Sequence, residues 1–311
     1  MNFVLILVGL AFLISGGDFL LKSAVSISLR LRISKIIIGM TVVSFATSAP
    51  ELIVSIKSAL DGFSDLAVGN IIGSNIANLG FVLGITLLIT KIDVQKSFFR
   101  TDWPVMMIAS LLLFLFISND HLISFFEGII LFSCLLIFIV YLLVFQKKTI
   151  TDEVIEVNQI LPNHKTLLFL LLGAIGLWIG SEMLINGAIN LAKDFGVSER
   201  LIGITVVSVG TSIPELATSL IAVLKKEKGI SLGNLVGSNI FNILAVLGLT
   251  SIITPIQVVE KTLYTHDIYW MLVISFSILL LVVVPKKMRL DRKSGIILLA
   301  VYTAFLYYTV S

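Results

Sequence analysis

Charged residues are scarce in this chain of 311 residues. Asp, Glu, Lys and Arg make up 13% of it, whereas 57% of the residues are hydrophobic. Because soluble domains usually carry about 25% charged residues, the composition excludes a water-soluble single domain. The net charge is only +3, which gives no reason to expect a nucleic-acid partner.

Cysteine and histidine are also sparse, and this limits the chemistry. The single Cys134 lies in an apolar stretch and cannot form an intrachain disulfide. The three histidines, His121, His164 and His266, lie far apart in sequence. No zinc or haem pattern is therefore present, and we expect no catalytic residue, no cofactor-binding residue and no cofactor.

Long apolar stretches take the place of charge. Residues 232–259 run for 28 positions without a charged side chain, and 103–119, 128–146, 268–285 and 294–311 are among the other stretches that run for at least 17. A membrane-spanning helix needs about 20 apolar residues, so division at the polar clusters predicts ten transmembrane helices. They are 2–28, 34–58, 65–90, 102–118, 123–145, 166–192, 200–224, 230–254, 265–285 and 294–310. The first residues carry no basic leader, so we expect them to belong to the mature protein.

An internal repeat organises these helices. GMTVVSFATSAPEL at 39–52 aligns with GITVVSVGTSIPEL at 203–216, and GNIIGSNIAN at 69–78 aligns with GNLVGSNIFN at 233–242, both at an offset of 164. Five helices in each half is an odd number, so the second half enters the bilayer from the opposite face. The predicted fold is an all-α membrane protein with ten transmembrane helices in two inverted five-helix repeats, at 1–145 and 166–311, joined by a polar loop at 146–165.

Basic residues are concentrated in one set of loops. Of the 22 Lys and Arg residues, 17 lie in the loops that follow the odd-numbered predicted helices. Because basic loops tend to stay in the cytoplasm, we predict that these loops, including 146–165, are cytoplasmic and that both termini are extracellular. The predicted location is the plasma (inner) membrane.

Two acidic residues lie inside predicted transmembrane helices at matched positions of the repeat. Glu51 and Glu215 each follow a proline, in TSAPE and TSIPE. An acid at membrane depth is costly and marks a functional site by default. The prolines predict a break in each helix, and carbonyl oxygens freed there can bind cations. Asp18 and Glu182 are a second matched pair of acids, for which we favour pairing with Lys22 or with a helix end over contact with a transported ion.

Other oxygen-bearing side chains accompany the two glutamates. Together, the two motifs contain serines, threonines and asparagines, which supply hydroxyl and amide oxygens. Neither motif contains a cysteine or a histidine. Ca²⁺ takes about 6–8 oxygen ligands, and two carboxylates would neutralise one Ca²⁺ or two Na⁺. The composition of the motifs therefore predicts a site for hard cations.

The paired motifs resemble those of the sodium/calcium exchangers of the cation/calcium antiporter superfamily, in their compact prokaryotic form. The resemblance implies a calcium site at Glu51 and Glu215 with the main-chain oxygens of Thr47 and Thr211. The implied sodium ligands are Ser44, Thr47, Ser48 and Ser74 in the first half and Ser208, Thr211, Ser212 and Ser238 in the second. Asn78 and Asn242 take the remaining polar positions. Many prokaryotic members have an aspartate where this chain has Asn242.

The predicted function is secondary active antiport of Na⁺ and Ca²⁺ by alternating access at one shared site, and not an enzymatic reaction. Both ions need the same carboxylates, so their mutual exclusion would couple the two fluxes. A Ca²⁺/H⁺ antiporter is an alternative, because protonation of Glu51 and Glu215 would also release calcium. A cation channel is a second alternative. The expected partners are the lipid bilayer and the two ions, with no nucleic acid and no obligate protein partner.

Overall fold

The computed structural model describes residues 2–145, 160–195, 210–284 and 288–310, and it is almost entirely helical. The helices are α1 Asn2–Leu31, α2 Lys35–Thr47, α3 Ala49–Leu60, α4 Ser64–Ile89, α5 Phe98–Asp120, α6 Phe125–Phe145, α7 Asn163–Asp194, α8 Ile213–Leu224, α9 Lys228–Ile253, α10 Leu263–Val283 and α11 Arg292–Val310. The strands, each two residues long, are β1 Ile92–Asp93, β2 Leu122–Ile123, β3 Ile256–Gln257 and β4 Arg289–Leu290.

The described helices confirm an integral membrane protein. Seven of them are long and apolar enough to cross a bilayer, and the number is eight when the bent pair α2 and α3 counts as one span. Of the other two predicted spans, 200–224 lies partly outside the described residues, and 294–310 coincides with the 19-residue helix α11. The count of ten spans therefore stays a prediction.

Contacts divide the chain into two compact units, each of which draws on both halves of the sequence. Apart from the last two residues, the first unit comprises Met1–Thr47 and Leu142–Asn234, and the second comprises Ser48–Tyr141 and Leu235–Thr309. The divisions fall inside the repeat motifs, next to Thr47 and next to Asn234.

Close contact between α1 and α7 dominates the first unit. A Cβ atom added to Gly9 would lie 2.8 Å from the carbonyl oxygen of Gly180, and one added to Gly16 would lie 3.0 Å from that of Gly173. Only glycine permits this approach. Gly9 and Gly173 occupy the same place in the two repeats, and so do Gly16 and Gly180. The contact of Gly9 with Gly180 therefore corresponds to the contact of Gly173 with Gly16.

The second unit shows the same exchange in its strands. β1 pairs antiparallel with β4, and β2 pairs antiparallel with β3. The first strand of each half therefore pairs with the second strand of the other half.

Wide π-helical turns also recur at matched positions, over Asn78–Val82 in α4 and over Asn242–Leu247 in α9.

Candidate ion-binding site

Each Pro-Glu motif begins a new helix. At Ser48 the helical hydrogen bonding is interrupted (φ −87°, ψ 3°), and α3 follows with Pro50 in its first turn. Ser212 has nearly the same backbone angles (φ −89°, ψ 6°) ahead of α8, with Pro214 in the first turn. Proline suits this place because the first residues of a helix have no intrahelical acceptor for their N–H groups. The break predicted at the first motif is confirmed, and α8 begins with the same geometry.

Glu51 and Glu215 consequently lie in the first turns of α3 and α8. Both side chains are completely buried. The positive end of the helix dipole stabilises a negative charge at this place, which offsets part of the cost of a buried carboxylate. The sequence placed the two acids in the interior of long helices, whereas the structure places each at a helix N-terminus.

In the second unit, α3 packs against the first part of α4 and against the Asn242–Leu247 turn of α9. The predicted site residues that belong to this unit are all buried. They are Ser48, Glu51, Ser74, Asn78, Ser238 and Asn242.

The wide turns that begin at Asn78 and Asn242 were not predicted from the sequence. A π-helical turn leaves backbone groups without their usual α-helical partners and is frequent at functional sites. Both turns begin at the asparagine that the sequence singled out. Their matched positions in the repeat are the only signal that the sequence offers for them.

Asparagine side chains link α4 to α9 within the second unit. The amide of Asn242 donates a hydrogen bond to Oδ1 of Asn75 at 3.0 Å, and Nδ2 of Asn75 donates to the main-chain oxygen of Asn239 at 3.2 Å. Asn239 itself donates to Leu235, one turn earlier in its own helix. Asn75 therefore bonds across helices, whereas the side chain of Asn239 bonds within its own helix.

In the first unit, Asn234 connects Ser44 and Thr47 to α9. Ser44 Oγ lies 3.0 Å from the main-chain oxygen of Asn234 and 2.8 Å from that of Gly39, so its proton is shared between two acceptors. Thr47 Oγ1 donates to Asn234 Oδ1 at 3.1 Å, with the main-chain oxygen of Ser44 as a second acceptor at 3.3 Å. The neighbouring Gly233 makes this possible, because its Cα lies so close to α2 that an added Cβ would be 2.3 Å from the Ile36 carbonyl oxygen. The sequence analysis missed Asn234, although it belongs to the repeated GN pair.

The remaining predicted ligands of the first unit lie at the start of α8. Thr211 is partly buried, and Ser212 is buried just ahead of Glu215. Thr218 and Ser219, one turn further on, are buried hydroxyls that the sequence analysis did not select. Ser208 lies outside the described residues.

The second pair of intramembrane acids differs from the glutamates of the motifs. Asp18 forms ion pairs with Lys22, at 2.8 Å, and with Lys225, which follows α8. Glu182 is exposed. The ion pair expected between Asp18 and Lys22 is therefore present.

Within the described residues, no three His, Cys, Asp or Glu side chains form a cluster able to hold a metal ion. A cation bound at these motifs would therefore be held largely by hydroxyl, amide and main-chain oxygens, together with the glutamates. Ligand sets of this kind suit Na⁺ and Ca²⁺ and do not suit soft metals.

Comparison with known proteins agrees with this chemistry. A family model described as sodium/calcium exchanger protein matches residues 1–144 and 165–311. The putative antiporter CaxA of Alkalimonas amylolytica is 38% identical over 311 residues, covering 98% of this chain and 97% of that protein. The sodium/calcium exchanger MaX1 of Methanosarcina acetivorans is 30% identical over 346 residues, with the same coverage of each chain.

The inner membrane protein YrbG of Escherichia coli is 37% identical over 285 residues, which cover 89% of this chain and 87% of that protein. Among solved structures, the sodium-calcium exchanger NCX_Mj soaked with zero Na⁺ and Ca²⁺ has a TM-score of 0.83 and 27% sequence identity, with 98% of both chains covered. This chain is a member of the sodium/calcium exchanger protein family.

Proposed function

We propose that this protein is a secondary active antiporter that exchanges Na⁺ for Ca²⁺ across a membrane. The observation that carries the proposal is the pair of buried glutamates, Glu51 and Glu215, each in the first turn of a helix that begins with Pro-Glu. Membership in the exchanger family supports it, as do a near full-length relative named as a sodium/calcium exchanger and another named as a putative antiporter. The family consists of transporters, and the two ions are substrates, not resident cofactors.

The proposed ligands are the oxygens of the two motifs. Calcium is held by the carboxylates of Glu51 and Glu215 and by the main-chain oxygens of Thr47 and Thr211. Sodium is held by hydroxyls and amides of the same segments. This list comprises Ser44, Thr47, Ser48, Ser74, Asn78, Ser208, Thr211, Ser212, Ser238 and Asn242. All described members except the partly buried Thr211 are buried, which supports the assignment.

Exchange follows from competition for the same carboxylates. One Ca²⁺ or a set of Na⁺ ions neutralises the two glutamates, but both sets cannot be bound together. An empty site leaves like charges in surroundings of low dielectric constant, which is unfavourable. Crossing the membrane without an ion is therefore disfavoured, and the two fluxes are coupled.

The proposed architecture has ten transmembrane helices in two inverted repeats, 1–145 and 166–311, with the linker 146–165 between them. The exchanged strand pairs in the second unit and the exchanged glycine contacts in the first support an inverted repeat. The basic residues of the odd-numbered loops support a cytoplasmic linker and extracellular termini. The inner-membrane relative supports the plasma membrane as the location.

The decisive experiment is a flux assay on purified protein in liposomes. An outward Na⁺ gradient should drive ⁴⁵Ca²⁺ uptake, and dissipation of the gradient should stop it. Uptake that ignores sodium and follows an imposed pH gradient would replace this proposal with Ca²⁺/H⁺ antiport. Calcium flux without any counter-ion would indicate a channel.

A further inference from the structure

Two asparagines of α9 and one of α4 form a chain of buried amides in the second unit. Asn75, Asn239 and Asn242 are at most 1% exposed. Asn75 lies in α4, and it contacts both of the others. Because these groups are buried, the hydrogen bonds between them decide which way each amide points.

The direction of the Asn75 amide follows from its main-chain partner. A main-chain carbonyl oxygen can only accept a hydrogen bond, so the Asn75 atom that lies 3.2 Å from the Asn239 oxygen must be Nδ2. The sulfur of Met271, a weak acceptor, lies 3.9 Å from the same nitrogen. Oδ1 of Asn75 must therefore point the other way, toward Asn242.

The direction of the Asn242 amide follows in turn. The atom that meets Asn75 Oδ1 at 3.0 Å must be a donor, so it is Nδ2. Oδ1 of Asn242 then points away from Asn75. It is buried and has no hydrogen-bond donor among the described residues. A buried oxygen without a donor is costly, and a cation would remove that cost.

Asn78 is the counterpart of Asn242 in the first half, and its amide is not fixed in this way. Neither side-chain atom of Asn78 has a hydrogen-bond partner among the described residues. The nitrogen of Asn239, which occupies the place of Asn75 in the repeat, bonds to Leu235 in its own helix. Of the two matched asparagines Asn78 and Asn242, it is therefore Asn242 whose amide is held in one orientation by a described residue of another helix.

We propose that Asn75 is a positioning residue that holds the amide of Asn242 with its oxygen free for a sodium ion. The inference rests on the proposed function, since it assumes that Asn242 is an ion ligand. It also gives a reason for the amide at position 242. A carboxylate there would bring a second acceptor oxygen against Asn75 Oδ1, which already points toward it.

The test uses the purified full-length protein in detergent and measures how Na⁺ displaces bound ⁴⁵Ca²⁺. Asn75→Leu keeps the side-chain size but removes both amide bonds. We expect the Na⁺ concentration for half displacement to rise about tenfold, because the Asn242 amide then turns freely. The half-saturating Ca²⁺ concentration should change by less than about threefold, since calcium relies on the glutamates.

Two further variants separate positioning from a general structural role. Asn75→Asp keeps an acceptor for the Asn242 amide but loses the donor that faces the Asn239 carbonyl oxygen. The half-displacing Na⁺ concentration should therefore rise less than in Asn75→Leu. In an Asn242→Ala background there is no amide to orient, so Asn75→Leu should cause no further change. If Asn75→Leu cannot be extracted as folded protein, Asn75→Ala must show the same loss of Na⁺ displacement.

The outcomes are distinct from those of the flux assay. Wild-type vesicles without sodium-driven calcium uptake would count against antiport. Wild-type exchange together with normal Na⁺ displacement in Asn75→Leu would overturn only the role of Asn75. An equal loss in the Asn242→Ala background, or in Asn75→Asp, would also overturn it.

Discussion

Thr47 donates its hydroxyl proton to Oδ1 of Asn234 across 3.1 Å. A hydroxyl binds a cation through its oxygen lone pairs, so its proton has to point to another acceptor. Oδ1 of Asn234 is the nearer of two such acceptors, the other being the main-chain oxygen of Ser44 at 3.3 Å. Asn234 is completely buried beside Gly233, where α9 approaches α2 closely. The relationship explains how a residue outside the predicted ligand set can influence sodium binding.

Replacing Asn234 should therefore weaken sodium binding. In Asn234→Leu, Thr47 loses the nearer of its two acceptors and keeps the Ser44 main-chain oxygen at 3.3 Å. We therefore expect the half-saturating Na⁺ concentration for exchange to rise about three- to fivefold. Asn234→Asp keeps the acceptor and should stay close to the wild type. The measurement is sodium-driven ⁴⁵Ca²⁺ uptake over a range of Na⁺ concentrations. If Asn234→Leu has the same effect in a Thr47→Val background, the hydrogen bond is not the cause.

Neutralising either glutamate should abolish calcium exchange. Glu51→Gln and Glu215→Gln remove a ligand charge that the calcium ion requires, while amide and carboxylate have nearly the same size, so the protein should remain folded and extractable. Glu182→Gln is the matched control, because Glu182 is an intramembrane acid of the same repeat but is exposed. Full activity in either buried-site variant would refute the shared carboxylates.

Acidification should inhibit calcium uptake. Protons compete with cations for the carboxylate oxygens of Glu51 and Glu215, so the rate should fall as the pH is lowered from about 8 to about 5. The assay uses the same pH on both sides of the vesicle membrane, which removes any proton gradient as a driving force. A rate that does not change over this interval would contradict titratable ligands.

The crossing of α1 and α7 should not tolerate a larger residue. Gly180→Ala would place a Cβ 2.8 Å from the Gly9 carbonyl oxygen, and overpacking of this kind costs about 1–3 kcal/mol. We expect a lower thermal unfolding temperature in detergent and slower exchange. Gly229→Ala is the matched control, since the nearest atoms to its added Cβ are at an ordinary 3.5 Å. Equal behaviour of the two variants would show that the crossing is not tightly packed.

The sequence predicted those features that depend on residues close to one another in the chain. The two Pro-Glu motifs predicted the break before α3, and the apolar stretches predicted the helices. The start of α8 at the second motif agrees with the break expected there. Glu51 and Glu215 were selected because an acid at membrane depth is costly and therefore indicates a function. Each of these inferences uses residues within a few positions of one another.

Features that depend on contacts between distant segments could not be predicted. Nothing near Asn234 in the sequence indicates Thr47, which is 187 residues away. Likewise, Asn75 reaches Asn239, 164 residues away, only because α4 and α9 lie side by side. The repeat marks both asparagines as matched residues, but the direction of an amide is decided by its neighbours in space.

The strand pairs of the second unit have a consequence for synthesis of the chain. β1 ends at Asp93, but its partner β4 begins only at Arg289. β2 likewise cannot pair until β3 has been synthesised. Such long-range pairing delays folding until most of the chain exists. An N-terminal half released on its own would keep both strand edges open, so two halves made as separate polypeptides should be stable only when they are produced together.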